Sequence, residues 1–345
     1  MRLSASLDTA PAGWDDVVRR LDGCVFHSAA WADYQRETRR VRPVFLLGRD
    51  DAGEERAAAL AFLRSSARPV ASLFVRALAL ASHPAVHAGD GAVAARFLEA
   101  CERWARARGC QRLRVDSFMS GDSPLALRDL GYREHARVEF LVSLEADTAA
   151  LWHAIRKDQR ERIRRLAREG VTCEPGGQAD DVTHLQVARE TTQERRRERG
   201  QGYELPDDHV YDALYRHLVK RDAGRLFVAR RAGEPVAAIF FATFNGRACS
   251  IFSGSTDAGY RLGAQSGLYW AAVEAFKAEG YRELNRGGVP AAAADESHPL
   301  HGIYEFKARL GTTPTACRSG EKIVSPIRHG LERLARLVRA AGGRG

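Results

Sequence analysis

The sequence predicts an α/β protein made of two tandem copies of one domain, and three recurrences carry that expectation. Val44–Gly48, an acidic glycine turn and Ala57–Leu63 read as a β-hairpin, and Leu226–Arg230, the turn Ala232-Gly233-Glu234 and Pro235–Phe244 read the same way. Each hairpin is followed by an amphipathic helix closed by glycine and then a strand. In the first copy these are Phe97–Arg108, Gly109 and Gln111–Asp116; in the second they are Leu268–Ala278, Gly280 and Tyr281–Asn285. Leu130-Gly131 and Leu310-Gly311 then each precede a candidate strand. Equivalent features lie about 170–180 residues apart, as a duplication would leave them. Each copy should form a mixed, mostly antiparallel sheet flanked by helices.

Between the copies, Leu151, Ile155, Ile163 and Leu166 are spaced for one side of a helix running from Leu151 to Glu169. Gly170 stops it, and its other faces carry Arg156, Lys157, Arg160, Arg162, Arg164, Arg165 and Arg168. A charged helix from about Asp181 to Arg199 follows, ending in Gly200-Gln201-Gly202. Ile327, Leu331, Leu334 and Val338 mark a basic amphipathic helix at the end. The expected division is 1–147 for the first domain, 148–322 for the second, and 323–345 for a helix packing back on the first. The alternative for that last helix is contact with a membrane or a lipid-linked substrate.

Across 345 residues the hydrophobic content is 45% and the charged content 28%, values ordinary for a globular protein with room for two cores. The net charge of +9 favours an anionic partner, although heavy arginine use could equally reflect genome composition. No run of about 18 apolar residues is present, so stable membrane insertion is not expected. The N-terminus lacks the apolar centre of a signal peptide. Cysteines 24, 101, 110, 173, 249 and 317 show no metal-like spacing, which fits reduced thiols in a cytoplasmic protein. His298-x-x-His301 with Glu305 is a poor metal motif, because a structural ion usually needs four ligands. HExxH, GxSxG, GxGxxG and P-loop patterns are missing, which leaves metalloprotease, serine hydrolase and NTPase readings without support.

The segment that reads most like a site runs from Asn285-Arg286-Gly287-Gly288 to Gly302-Ile303-Tyr304-Glu305-Phe306-Lys307-Ala308-Arg309-Leu310-Gly311. Glycines let backbone approach a ligand, and Phe306-Lys307 sets a flat apolar ring beside a point charge. Lysine is otherwise rare here: only Lys157, Lys220, Lys277 and Lys322 accompany Lys307.

The hairpin, strand, loop, helix, strand order within each copy is that of GNAT-type acyltransferases. The second half resembles the FemABX family more narrowly. The resemblance rests on Arg160-x-x-Ile163-Arg164-Arg165 with Gly170-Val171, Glu190-Thr191-Thr192 to Arg199, Ser253-Gly254-Ser255, Glu279-Gly280-Tyr281, the glycine pair and Phe306-Lys307. It covers most of 151–315 and, more loosely, the first half through His27-Ser28-Ala29-Ala30-Trp31. It implies tandem GNAT-like domains and transfer of an amino acid from aminoacyl-tRNA to an amine, without metal or redox cofactor.

By this resemblance Lys307 matches a lysine that stabilises the oxyanion formed when an amine attacks the aminoacyl ester, an effect worth about 3–4 kcal/mol. Phe306 could pack against the terminal adenosine. Arg199 and Tyr203 match residues that contact a phosphate-bearing acceptor, for which arginine's planar fork is suited. Asp116 matches an aspartate near the acceptor amine. Tyr260, Ser253, Gly287 and Gly288 are expected to line the substrate cleft. Arg160, Arg164 and Arg165 could track tRNA phosphates. Where peptidoglycan-bridge enzymes carry a lysine after the tryptophan, this chain has Trp31-Ala32-Asp33-Tyr34-Gln35-Arg36. Gln35 has no charge and Arg36 is displaced by one residue. That departure puts a nucleotide-linked muropeptide acceptor in doubt and leaves other cell-wall precursors, glycans or secondary metabolites open.

Two other readings stand beside this one. An acyl-CoA-dependent N-acyltransferase would cradle pyrophosphate at a helix N-terminus. The matching stretch Tyr260–Gly267 is glycine-rich but out of register, and Gly89-Asp90-Gly91-Ala92 carries an acid where phosphate would sit. The third reading is a basic tRNA- or anion-binding protein without chemistry.

Overall fold

The computed structural model describes residues 1–65, 76–121, 123–198, 200 and 207–330. The chain forms two compact units, Met1–Ala136 with the residues from Cys317 onward, and Arg137–Ala316.

In the first unit the strands β1 (Arg2–Leu7), β2 (Arg42–Arg49), β3 (Glu55–Ser65) and β4 (Arg76–Leu80) form an antiparallel series. Strand β5 (Ala85–Val86) pairs β3 to one side. β6 (Arg112–Val115) then lies parallel to β4, and its other edge takes Gly320–Ile323 antiparallel. Of the helices α1 (Trp14–Arg20), α2 (Ala29–Arg39) and α3 (Gly91–Ala107), α3 makes the crossover that a parallel pair requires. Its apolar residues Val93, Phe97, Leu98 and Cys101 bury against Leu46, Ala59, Leu78 and Leu113.

The second unit repeats this order. β8 (Val171–Gly176), β9 (Gly224–Arg231), β10 (Glu234–Phe244) and β11 (Arg247–Ser255) are antiparallel in sequence. β12 (Glu283–Pro290) lies parallel to β11, and β7 (Arg133–Ser143) closes the series antiparallel to β12. The Leu-Gly recurrence therefore has a structural meaning. The strand after Leu130-Gly131 completes the second sheet, and β13 (Thr313–Ile323), after Leu310-Gly311, completes the first. This exchange is why the units divide at 136/137 and 316/317.

One expected helix is two. The residues from Leu151 to Glu169 form α4 (Thr148–Ala154) and α5 (Lys157–Arg168). Ile155 between them is extended (φ −67, ψ 133), is 1% exposed, and bridges Leu310, while Arg156 N donates to Arg309 O at 3.0 Å. Periodicity alone cannot report such a break, because Ile155 is buried in either geometry. The charged helix is α6 (Ala179–Glu198), and α7 (His209–Leu214) follows it. Pro326–Gly330 begins the expected C-terminal helix, and the rest of Ile327–Val338 lies outside the described residues.

The second core centres on Phe227, Phe241 and Phe276, whose rings meet edge to face at 5.3–5.9 Å. Phe276 is fully buried on the long helix α9 (Ala264–Ala278), which packs across β8, β9 and β10 and is preceded by the short α8 (Asp257–Leu262). Phe276→Ala is expected to destabilise the protein by about 3–5 kcal/mol, read as a lower denaturant midpoint.

Candidate active site

The site is built where β12 departs from regular pairing. Against β7, Asn285 stands opposite Leu141 and Gly288 opposite Glu139, so Arg286 and Gly287 form a bulge facing Phe140. Asn285 fixes this bulge from both sides. Its Nδ2 donates to Glu139 Oε2 at 2.7 Å, and its Oδ1 accepts from Gly287 N at 2.7 Å. Gly287 needs its glycine for φ +69, and a Cβ at Gly288 would stand 2.5 Å from Arg137 Nη2 and Val138 O. On the other edge, β11 pairs β12 only from Arg247–Glu283 to Cys249–Asn285.

A short helix, α10 (His301–Ala308), carries Phe306 and Lys307. Ile303, Tyr304 and Ala308 pack on a small cluster of Phe140, Val289 and Ala293, whereas Phe306 packs on the main core. Lys307 itself is half-buried beside the smaller cluster. Its Nζ lies 5.8 Å from the Phe140 ring centre and 3.6 Å from where a Gly287 Cβ would be. The end of the helix is pinned by the Ile155–Leu310 bridge and by Thr312 Oγ1, which donates to Lys307 O at 2.9 Å. Gly311 (φ +72) sits against the Ala154–Ile155 backbone, where a Cβ would lie at 3.1 Å.

Electrostatics follow from this packing. Burial, and then the neighbouring Arg286 guanidinium, push the Lys307 ammonium down to about 7. Arg137 acts in the same direction, and Cys249 and Glu139 oppose it. Arg286 is 6% exposed and lies 4.4 Å from the Tyr269 ring centre and 5.4 Å from that of Phe306. Burial pushes its guanidinium down to about 10 and the Tyr269 hydroxyl upward. Glu139 is 1% exposed and bound to Asn285 and, at 3.3 Å, to Arg137.

The structure gathers Phe306, Lys307, Gly287 and Gly288 from the expected set, and adds Arg286, Tyr269, Asn285, Glu139, Arg137 and Cys249. Arg286 was legible as an arginine between Asn285 and paired glycines in a strand, but nothing local announces its burial. Tyr260 is 53% exposed on α8, with Arg195 over its ring at 3.3 Å, and Ser253 is an exposed residue of β11. Arg160 donates to His153 O at 2.8 Å, Arg164 lies over Trp152 at 5.4 Å, and Arg165 pairs with Glu169 at 3.4 Å. Arg199 and Tyr203 lie outside the described residues.

Four further candidates belong to the first unit. Trp31 is buried edge-to-face on Phe26 at 4.9 Å, and Gln35 is buried on the same helix. Arg36 pairs with Asp33 at 2.7 Å and donates to Asp8 O. Asp116, just beyond β6, accepts from Arg114 Nε at 3.1 Å. His298, His301 and Glu305 are engaged locally by Leu300 N, Ala293 O and Arg309. No group of three or more His, Cys, Asp or Glu able to hold a metal occurs among the described residues. The six cysteines are free thiols, all buried except the half-buried Cys173. No described helix is long and apolar enough to cross a membrane.

The two helix N-termini that could cradle a pyrophosphate both carry neighbouring side chains. At the start of α9, Gly263 (φ +74) is covered by the Arg162 side chain, Leu166 lies on Gly267, and buried Ser266 Oγ donates to Gln159 Oε1 at 2.9 Å. At the start of α3, the Asp90 carboxylate accepts from Val93 N and pairs with Arg56 at 3.0 Å.

Taken together, the duplicated sheets and the crossover helices define a tandem GNAT-like acyltransferase fold. Residues 153–307 match the model of the acetyltransferase (GNAT) domain family Acetyltransf_6, a stretch that ends on Lys307 itself. Among solved structures, FemX superimposes with a TM-score of 0.77 at 12% identity, over 96% of this chain and 100% of that one. L-PGS from Bacillus licheniformis gives 0.58 at 15% identity, over 98% of each chain. A tandem GNAT protein from the clavulanic acid biosynthesis pathway gives 0.50 at 14% identity, over 94% and 99%. At these identities the likeness establishes the fold. No curated protein matches the sequence significantly.

Proposed function

We propose that this protein is an aminoacyltransferase that moves an amino acid from aminoacyl-tRNA to an amine and forms an amide bond. The observation that carries the reading is Lys307, held by the Phe140 ring and close to the buried Arg286 at the end of the GNAT-domain match. Such a site suits acyl transfer because it opposes developing negative charge and can exchange a proton near neutral pH. The acceptor amine attacks the ester carbonyl carbon, and the carbonyl electrons move onto oxygen. Neutral Lys307 Nζ takes a proton from the attacking nitrogen and so becomes an ammonium beside the oxyanion. The carbon–oxygen bond to the terminal ribose then breaks, and the leaving ribose oxygen recovers that proton from Nζ.

An aminoacyl-tRNA donor is favoured over acyl-CoA because the Arg162 and Leu166 side chains lie over the glycines at the start of α9, and at the start of α3 the Asp90 carboxylate takes Val93 N and would repel a phosphate. The net charge of +9 and the arginines of α5 suit a polyanion. The acceptor would be an amine of a cell-wall precursor, a glycan or a secondary metabolite, in the cytoplasm where charged tRNA is found. Glutamine at Arg160, Arg164 and Arg165 together is expected to lower the salt dependence of tRNA binding by about 2–3 ions in a filter-binding series. The deciding experiment incubates the protein with a labelled aminoacyl-tRNA pool and candidate amines. Ribonuclease-sensitive amide formation supports the reading; acyl transfer only from acetyl-CoA, or acetyl-CoA binding by calorimetry, would replace it with the CoA-dependent one.

A further inference from the structure

Arg286 is the least explained charge in the second unit. Its Nε and Nη1 are buried and have no hydrogen-bond acceptor among the described residues. No carboxylate pairs with it there either; what surrounds it are the rings of Tyr269 and Phe306. Ring faces compensate part of the cost of burying a guanidinium, but they leave in-plane N–H donors without a partner. The nearby Glu139 is spent on Asn285 and Arg137. A bulge puts Arg286 in this position, so its placement follows from a departure from the regular ladder rather than from a core-filling side chain.

Resting on the aminoacyl-transfer reading, we propose that Arg286 is a catalytic residue whose free donors bind the acyl oxygen and stabilise it as the oxyanion forms. Arginine suits this task because it keeps its charge while Lys307 gains and loses a proton. The two cations then divide the work. Arg286 supplies the permanent charge, and Lys307 carries the proton from the acceptor nitrogen to the leaving ribose oxygen.

The test uses methylphosphonate, a small tetrahedral anion without any part of either donor, titrated into full-length protein carrying 15N-labelled arginine. The Arg286 Nε–H resonance of the wild type is expected to move on saturation, and Arg286→Met should weaken binding at least tenfold while Arg286→Lys retains part of it. An unmoved resonance at saturation, or equal affinity in Arg286→Met, would overturn the assignment. In transfer from aminoacyl-tRNA, Arg286→Met should lower kcat at least a hundredfold with KM little changed. Should the anion bind at Arg286 while wild type transfers nothing from aminoacyl-tRNA, the arginine assignment stands and the donor reading fails.

Discussion

Replacing Lys307 by alanine is expected to lower amide formation about 10²–10⁴-fold, the range associated with losing a positioned proton carrier. The side chain is half-buried on the last turn of α10, and its charge is opposed by its surroundings, so the fold should not depend on it. An unchanged denaturation midpoint alongside the lost rate, from stopped transfer assays, checks both halves. Arginine at this position separates two roles. If a permanent cation were all the reaction needed, Lys307→Arg would keep much of the activity; a side chain that must release its proton near neutrality leaves it as impaired as alanine. Tight tRNA binding in both variants would show that the loss lies in the chemical step.

Glu139→Ala is expected to be the most damaging substitution for the site's architecture, at about 3–5 kcal/mol. The carboxylate is 1% exposed, binds Asn285 Nδ2 at 2.7 Å and pairs with Arg137 at 3.3 Å. Its removal strands a buried amide donor and loosens the residue that holds Gly287 N in the bulge. Chemical denaturation should report the loss. Glu139→Gln keeps an oxygen for Asn285 and should cost about 1 kcal/mol. It also has an electrostatic signature. Glu139 favours the charged form of Lys307, so neutralising it should move the Lys307 titration to lower pH. Removing Arg286, which disfavours that form, should push the titration the other way as far as charge alone decides.

Much of the fold was legible because its signals are local and repeated. The hairpins at Val44–Leu63 and Leu226–Phe244 and the Gly109 and Gly280 helix stops all occur where turn chemistry demands them. The exchange of β7 and β13 was not, since periodicity identifies a strand but not its neighbour. The break at Ile155 escaped for a related reason, as only the bridge to Leu310 tells it from a helical residue. Phe306 and Lys307 stood out through lysine's rarity and the family resemblance. Arg286 did not, because a strand arginine ordinarily points to solvent and the bulge that turns this one inward depends on pairing with distant Leu141 and Glu139. Trp31 and Gln35, read from the motif, are buried in the first unit, with Trp31 packed on Phe26.

The most direct measurement is the single-turnover rate of amide formation from purified aminoacyl-tRNA across pH 6 to 9, with an acceptor amine that is neutral throughout. Lys307 is pushed down to about 7, so its neutral, proton-accepting fraction grows as pH rises through that value. The rate should climb through about pH 7, level off above it, and lose this dependence in Lys307→Ala. A rate that falls through pH 7 would assign the work to the ammonium instead, and a profile identical in wild type and Lys307→Ala would remove Lys307 from the reaction.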